Sequence, residues 1–182
     1  MFDTLKKWDR ELFIFLNNLG SDSFDRFWVI VTQIETWTFL FVTFFLLIFK
    51  YYKRRKAFYI ALFTLLTFGI SYFLKYSIKI YVQRLRPNNT PDLAEFIRVL
   101  DTPMDFSFYS GHASVSFAIT TFLVFSLRKF SRWMYLLFIW PILFSFSRIY
   151  VGVHFPSDII VGFFVGVIIA FGMHYLQKTL IK

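Results

Sequence analysis

The chain has 182 residues, about the length of one domain. Apolar residues make up 57% of it and charged residues 17%, against about 45–50% and about 25% in soluble domains, which excludes a soluble enzyme and a disordered tail. The net charge of +9 lies between hydrophobic segments, so it indicates anionic lipid head groups or a phosphorylated substrate rather than nucleic acid. The absence of cysteine excludes disulfides and zinc–cysteine sites.

Residues 1–19 have the pattern of an amphipathic helix that ends at Gly20. The apolar positions of its face are Leu5, Trp8, Leu12, Phe15 and Leu19. We interpret the segment as a helix that lies in the membrane surface. A helix that packs this face into a protein core is the alternative.

Five segments that are apolar enough to cross the membrane follow. They cover residues 28–49, 57–78, 112–127, 133–150 and 159–176. The sequence therefore predicts an all-α integral membrane protein with five transmembrane helices and an N-terminal interfacial helix. Gly162 and Gly166 in the last span form a small-xxx-small pair that allows close helix packing, unless they are incidental. Glu35 is expected roughly 10 Å inside the first span, at a depth where it could pair with Lys75.

Charge predicts the orientation of these spans. One side carries ten basic and no acidic residues: Lys50, Lys53, Arg54, Arg55, Lys56, Arg128, Lys129, Arg132, Lys178 and Lys182. The positive-inside rule places that side and the C-terminus in the cytoplasm, and residues 1–19 outside. The connection 79–111 is then an outer, mostly irregular loop, in which 92–100 could form a short helix. We expect a single domain, 1–182, without internal repeats.

Polar residues gather where the spans reach the outer face. Spans two and four end there, and spans three and five begin there, so the residues at these four points can converge. They are Lys79, Arg86, Ser110, Gly111, His112, Arg148, His154 and Asp158. The three cations, together with the helix start at Ser110 and Gly111, suit a phosphate group. A single carboxylate, Asp158, is too little for a magnesium site.

Two histidines add chemistry to this phosphate site. His154 and Asp158 are four residues apart, so the carboxylate can orient the imidazole, and His154 becomes a candidate nucleophile on phosphorus. His112 can protonate the leaving oxygen. Each element also has a structural interpretation: Lys79 and Arg86 could snorkel to the interface, Ser110 could only cap a helix, and His154 and Asp158 could be a structural pair.

The pattern resembles the type 2 phosphatidic acid phosphatase superfamily, which includes the vanadium haloperoxidases. Its signature is Lys-x6-Arg-Pro, Pro-Ser-Gly-His and Ser-Arg-x5-His-x3-Asp. The matching residues are Lys79 to Arg86-Pro87, Tyr109-Ser110-Gly111-His112, and Ser147-Arg148 to His154 and Asp158. Tyr109 replaces the usual proline, which would stiffen the turn before the helix.

The resemblance implies a role for each matching residue. His154 is the nucleophile, Asp158 its orienting partner and His112 the general acid. The implied phosphate ligands are Lys79, Arg86, Ser110, Gly111 and Arg148. The family needs no metal, and no cofactor is expected.

The resemblance also implies a reaction at the outer membrane face, the hydrolysis of a lipid phosphate or diphosphate. The small chain resembles bacterial undecaprenyl pyrophosphate phosphatases, which makes undecaprenyl pyrophosphate the leading substrate. Phosphatidylglycerophosphate, phosphatidic acid and lipid A are alternatives. A non-catalytic phospholipid binder or transporter is the alternative from another class. The sequence predicts neither the oligomeric state nor the length of the lipid chain.

Overall fold

The computed structural model describes residues 2–93 and 95–181, and this part of the chain contains helices and no strand. Met1 of the N-terminal segment, Ala94 of the outer loop and the basic Lys182 lie outside the described residues. The α-helices are α1 (Phe2–Asn18), α2 (Asp22–Thr32), α3 (Thr38–Tyr51), α4 (Arg54–Val82), α5 (Gly111–Leu127), α6 (Ile139–Tyr150) and α7 (Pro156–Leu180). The 3₁₀ helices are Ile34–Trp37, Pro87–Asn89, Pro91–Leu93 and Arg132–Phe138.

The helices are those of an integral membrane protein. Four segments, which contain α3, α4, α6 and α7, are long and apolar enough to cross a membrane, and α5 is a shorter apolar helix of 17 residues. The all-α prediction is confirmed. The count of five spans stays a prediction, because it needs α5 to cross as well.

The predicted first span, 28–49, is wrong at its start. α2 ends at Thr32, and the backbone of Gln33 is extended, with φ −80° and ψ 129°. The carbonyl of Val31 accepts the indole N–H of Trp37 at 2.9 Å instead of continuing a helical hydrogen-bond ladder. Glu35 is therefore not 10 Å inside a span; it is exposed, in the 3₁₀ turn that precedes α3.

The apolar face of α1 points away from the protein. Its five predicted positions are all exposed, from 46% at Leu12 to 64% at Leu19, so the alternative of a core-packed face is wrong. A different face, with Asp9, Phe13 and Asn17 at helical spacing, packs against the rest of the chain. The location of α1 in the membrane surface stays a prediction.

The outer loop is shorter than predicted. α4 continues through Val82 and ends at Gln83, whose φ of +50° is left-handed, so Lys79 lies on the helix and not in the loop. The short helix expected at 92–100 is wrong for the described residues, which form turns after Pro91–Leu93. Burial of Leu93 against Phe13 explains this path, because it turns the segment inward.

The close packing of α5 against α7 brings two signature segments together. A Cβ atom at Gly162 would lie 2.7 Å from the carbonyl oxygen of Ser110, and one at Gly166 would lie 2.3 Å from that of Ser114. Only glycine permits this approach, so the small-residue pair is not incidental. As a result, the Ser110 amide donates to the Asp158 carbonyl at 3.1 Å.

The basic connections lie at the opposite ends of the helices. Tyr51 stacks on Phe130 with ring centroids 4.9 Å apart, and the Tyr52 hydroxyl donates to the Ser126 carbonyl at 2.5 Å. These contacts join the α3–α4 connection to the end of α5. The two most basic connections therefore share one end of the bundle, and the signature residues share the other.

Candidate active site

A cavity of about 620 Å³ opens where the ends of α2, α4, α5 and α6 meet. Six of the eight residues predicted from the sequence line it: Lys79, Arg86, Gly111, His112, Arg148 and His154. Asp158 is fully buried behind His154, and Ser110 is buried at the start of α5, so neither forms part of the wall. The predicted convergence of the signature residues is therefore observed, with these two residues behind the surface.

The turn after α6 positions His154. Gly152 has a φ of +86°, and a Cβ atom there would lie 2.4 Å from the carbonyl oxygen of Arg98, so this turn requires glycine. The amides of Val153 and His154 both donate to the carbonyl of Arg148, at 3.1 and 3.2 Å. These two hydrogen bonds fix the backbone of His154 against that of Arg148.

The His154 imidazole contacts a different partner on each nitrogen. Nδ1 lies 3.3 Å from Oδ2 of Asp158, which also accepts the amide of Phe155 at 3.0 Å. Nε2 lies 3.1 Å from Nη1 of Arg86, a donor only. This network assigns the proton to Nδ1 and leaves the lone pair of Nε2 to accept an N–H of Arg86, another residue of the cavity wall.

Electrostatics keep this imidazole neutral. Burial lowers the pKa of His154, and the nearby cations Arg86, Arg148 and Lys79 lower it further, well below its usual value. A neutral imidazole with an unprotonated Nε2 is the form that can attack phosphorus. The hydrogen bonds and the lowered pKa therefore both indicate a neutral His154 with its proton on Nδ1.

Arg84 and Asp9 form a second layer that the sequence analysis missed. Arg84 donates from Nη1 to Oδ1 of Asp158 and to Oγ of Ser157, both at 2.8 Å, and from Nη2 to Asp9 at 2.7 Å. Its guanidinium lies 4.0 Å from the ring centroid of Phe155. No pattern marked Arg84, because it lies between the spaced signature positions and turns inward only through the left-handed end of α4.

Ser107 is another residue that the sequence did not indicate. Its hydroxyl donates to Oδ2 of Asp158 and lies 3.3 Å from Nδ1 of His154. With Arg84 and the Phe155 amide, it gives the buried carboxylate three hydrogen-bonding partners in addition to the imidazole. Asp158 is therefore fixed in place beside His154.

Carboxylates compensate the cavity cations. Asp105 accepts from Nζ of Lys79 at 2.9 Å and from Nη2 of Arg86 at 2.5 Å, while Asp101 lies 3.0 Å from Nη2 of Arg148. Burial raises the pKa of Asp105, but the hydrogen bond from Lys79 and the charges of Arg86 and Lys79 outweigh it and hold the pKa well below its usual range. The Asp105 carboxylate thus binds the same two cations that a phosphate group would use.

The burial of Lys79 and Arg86 contradicts the alternative in which they snorkel to the membrane interface. Lys79 and Arg86 are only 5% and 3% exposed, and both line the cavity, so they do not extend to the interface. The side chain of Arg148 is equally buried and donates to the Thr32 hydroxyl at 2.5 Å. Three guanidinium or ammonium groups thus converge on one polar cavity, an arrangement that can bind an anion such as phosphate.

Of the three predicted site residues at the start of α5, Gly111 and His112 line the cavity and Ser110 does not. The Ser110 hydroxyl accepts the Ala113 amide at 3.4 Å, so it caps the helix, as the structural alternative predicted. Gly111 and His112 line the cavity, and the His112 ring lies 4.4 Å from that of Phe144. The predicted contact of Ser110 with phosphate stays a prediction, since its hydroxyl is engaged by the helix.

A second, apolar cavity of about 340 Å³ lies next to the polar one. The two share four lining residues: Ile34, Phe68, Val115 and Phe144. Together they offer an anion-binding end and an apolar end, which suits an amphiphile with a phosphorylated head. Among residues 2–93 and 95–181, no three His, Asp or Glu side chains gather as ligands for a metal ion.

Comparison with known families and proteins agrees with this architecture. The PAP2 superfamily matches residues 60–182. Lipid A 4'-phosphatase of Porphyromonas gingivalis is 32% identical over 180 residues, which cover 94% of this chain and 72% of the relative. Undecaprenyl-diphosphatase of Sulfolobus acidocaldarius is 32% identical over 169 residues, which cover 92% of this chain and 70% of the relative.

The fold also has a solved counterpart. The transmembrane PAP2-type phosphatidylglycerolphosphate phosphatase of Bacillus subtilis superimposes with a TM-score of 0.73 at 24% sequence identity. The match covers 98% of this chain and 88% of that chain. The predicted superfamily and the prediction of an enzyme are confirmed, which overturns the alternative of a non-catalytic binder.

Proposed function

This chain belongs to the PAP2 superfamily and is a membrane lipid phosphatase, and we propose that it works through a phosphohistidine on His154 without a metal ion. The observation that carries the proposal is the pair of contacts on this imidazole. Asp158 accepts a hydrogen bond from Nδ1, and Arg86 directs an N–H group to Nε2. A nucleophile with its lone pair beside a phosphate-binding cation is positioned for attack on phosphorus.

The first half of the reaction transfers the phosphoryl group. Nε2 of His154 forms a bond to phosphorus while the bond from phosphorus to the lipid oxygen breaks, and His112 donates a proton to that oxygen. In the second half, His112 accepts a proton from water, the water oxygen bonds to phosphorus, and the N–P bond breaks. Inorganic phosphate leaves, and both histidines return to their starting states.

The cations stabilise charge during both halves. Lys79, Arg86 and Arg148 line the same cavity as His154, where the transferring oxygens would lie. Fixed cations in a partly desolvated cavity are effective there, because they do not need to reorganise as charge moves. We assign Gly111 and Ser110 to the same phosphate group through the N-terminal end of α5.

We propose five spans, with the site on the extracytoplasmic side and the C-terminus in the cytoplasm. The basic connections and the cavity lie at opposite ends of the helices, which is the arrangement that the positive-inside rule requires for an outward site. α1 contacts Arg84 and Ser157 at the cavity end of the helices, and its exposed apolar face supports a location in the outer membrane surface. Residues 1–182 would act as a single phosphatase domain.

We propose undecaprenyl pyrophosphate as the substrate, with undecaprenyl phosphate and inorganic phosphate as products. The apolar cavity beside the polar one supports a long lipid chain, and one relative is named for this diphosphatase activity. Lipid A is the second candidate, because another relative of the same identity is a Lipid A 4'-phosphatase.

The test is phosphate release by the purified full chain in detergent with EDTA present. Undecaprenyl pyrophosphate, lipid A, phosphatidylglycerophosphate and phosphatidic acid are compared, and His154→Ala is compared with wild type. We expect the diphosphate to give the highest kcat/KM and the variant to lose turnover. Full activity of His154→Ala, or inhibition by EDTA that magnesium reverses, would contradict the mechanism. Preference for lipid A would move the assignment to the second candidate.

A further inference from the structure

Two lysines of α4 face the same cavity one helical turn apart. Lys75 and Lys79 both line it, and at 1.5 Å per residue Lys75 lies roughly 6 Å farther along the axis, toward the interior of the helix bundle. The stem of Lys75 packs on Gly111, where a Cβ atom would lie 3.1 Å from its Cγ and Cδ atoms. This contact directs the side chain across the start of α5 and into the cavity.

Lys75 differs from the other cavity cations in its partners. Lys79 and Arg86 each bind Asp105, and Arg148 binds Asp101. Within the residues that the structure describes, no carboxylate lies within ion-pair distance of Lys75. Its ammonium instead lies 4.3 Å from the centroid of the Tyr72 ring.

The order of residues along α4 runs from polar to apolar. Lys79 is at the catalytic end, Lys75 is one turn deeper, and Phe68 is shared between the polar and the apolar cavity. Leu65, almost one turn beyond Phe68, lines only the apolar cavity. Lys75 therefore lies between the place where a phosphoryl group would be attacked and the place where a lipid chain would enter.

We propose that Lys75 is a second anion subsite, which binds the lipid-proximal phosphate of a diphosphate while Lys79 and Arg86 bind the terminal one. The inference rests on the proposed function and adds a specificity-determining residue to it. His154 attacks the terminal phosphorus, and the bond to the bridging oxygen breaks. That oxygen stays on the lipid as a monophosphate, and Lys75 stabilises the charge that develops there. A monophosphate ester places no charged group at Lys75.

The test separates the two phosphates with a matched pair of substrates. Farnesyl diphosphate and farnesyl monophosphate carry the same chain and are assayed with wild type, Lys75→Met, Lys75→Arg and the distant, exposed Lys178→Met. We expect Lys75→Met to lower kcat/KM for the diphosphate by about tenfold or more, and for the monophosphate by less than about twofold. Lys75→Arg should restore most of the loss, and Lys178→Met should match wild type. Equal losses on both substrates, or no loss on either, would overturn the proposal.

A binding measurement keeps this test independent of the preferred substrate. Methylenediphosphonate and inorganic phosphate are used as competitive inhibitors of monophosphate turnover. We expect Lys75→Met to weaken inhibition by the diphosphonate about tenfold and to leave inhibition by phosphate unchanged. Unchanged inhibition by the diphosphonate would overturn the subsite. If the wild type does not hydrolyse a diphosphate but Lys75→Met still weakens inhibition by the diphosphonate, the proposed substrate is overturned and the subsite is not.

Discussion

Arg84 binds the Asp158 carboxylate from the side opposite to His154. Its Nη1 atom lies 2.8 Å from Oδ1 of Asp158, while Oδ2 of the same carboxylate lies 3.3 Å from Nδ1 of His154. The other guanidinium nitrogen binds Asp9, so a continuous chain of polar contacts joins α1 to His154. A residue outside the family signature thus determines where the orienting carboxylate lies.

The first prediction follows from this contact. Arg84→Gln should lower kcat roughly 10- to 100-fold and change KM little, because a displaced Asp158 misorients the imidazole without removing any phosphate ligand. Arg84→Lys should recover part of the activity. Arg26→Gln, an exposed arginine on α2, is the control. A rise in KM with an unchanged kcat would instead indicate that Arg84 contacts the substrate.

A second prediction concerns Asp105, which binds the same two cations as the proposed phosphate. Asp105→Asn should strengthen inhibition by vanadate or phosphate about tenfold, since the variant removes a charged competitor from Lys79 and Arg86. Because its pKa is held below the usual range, Asp105 stays ionised from pH 5 to 9, and the effect should not vary with pH there. The measurement is a set of inhibition curves with wild type and variant. Weaker vanadate inhibition in the variant would mean that Asp105 mainly orders the two cations.

The charge state of His154 gives a third prediction. Burial and three cations lower its pKa, so protonation should begin only well below the usual value of about 6.5, and Nδ1 should carry the proton above that. The sign for stability follows: the unfolded chain binds this proton first, so the free energy of unfolding should fall as the pH drops below about 6.5. NMR of ¹⁵N-labelled imidazoles can measure both properties, because the chain has only three histidines. A titration at or above 6.5, or a proton on Nε2, would contradict the assignment.

The contact between α5 and α7 gives a fourth prediction with a matched control. Gly166→Ala should destabilise the protein by about 1–3 kcal/mol, because its Cβ atom would lie 2.3 Å from the Ser114 carbonyl oxygen and must push the helices apart. Gly172→Ala, where a Cβ atom meets nothing within 4 Å, should not destabilise it. Unfolding in detergent compares the two variants. Equal stability would mean that α5 and α7 separate at little cost.

The sequence alone was sufficient for much of the site. Hydropathy predicted a helical membrane protein, and the spacing of the signature residues along alternating spans predicted that they meet at one end. These inferences succeed because apolar length is a local property that lipid imposes on each segment separately, and because the ends of successive spans alternate between the two sides. The spacing and the order of the spans were therefore enough to predict that Lys79, Arg86 and His154 lie together.

The tertiary structure decided the rest. The break at Gln33 moved Glu35 to the start of α3, and it depends on Trp37 folding back onto Val31. The positions of Arg84, Asp105 and other residues of the outer loop also depend on partners far along the chain. Hydropathy and spacing carry no information on such contacts, because an irregular loop takes its path from the side chains that it meets and not from a repeating local pattern. Only the folded chain therefore showed that carboxylates bind the predicted phosphate ligands and that Lys75 has no such partner among the described residues.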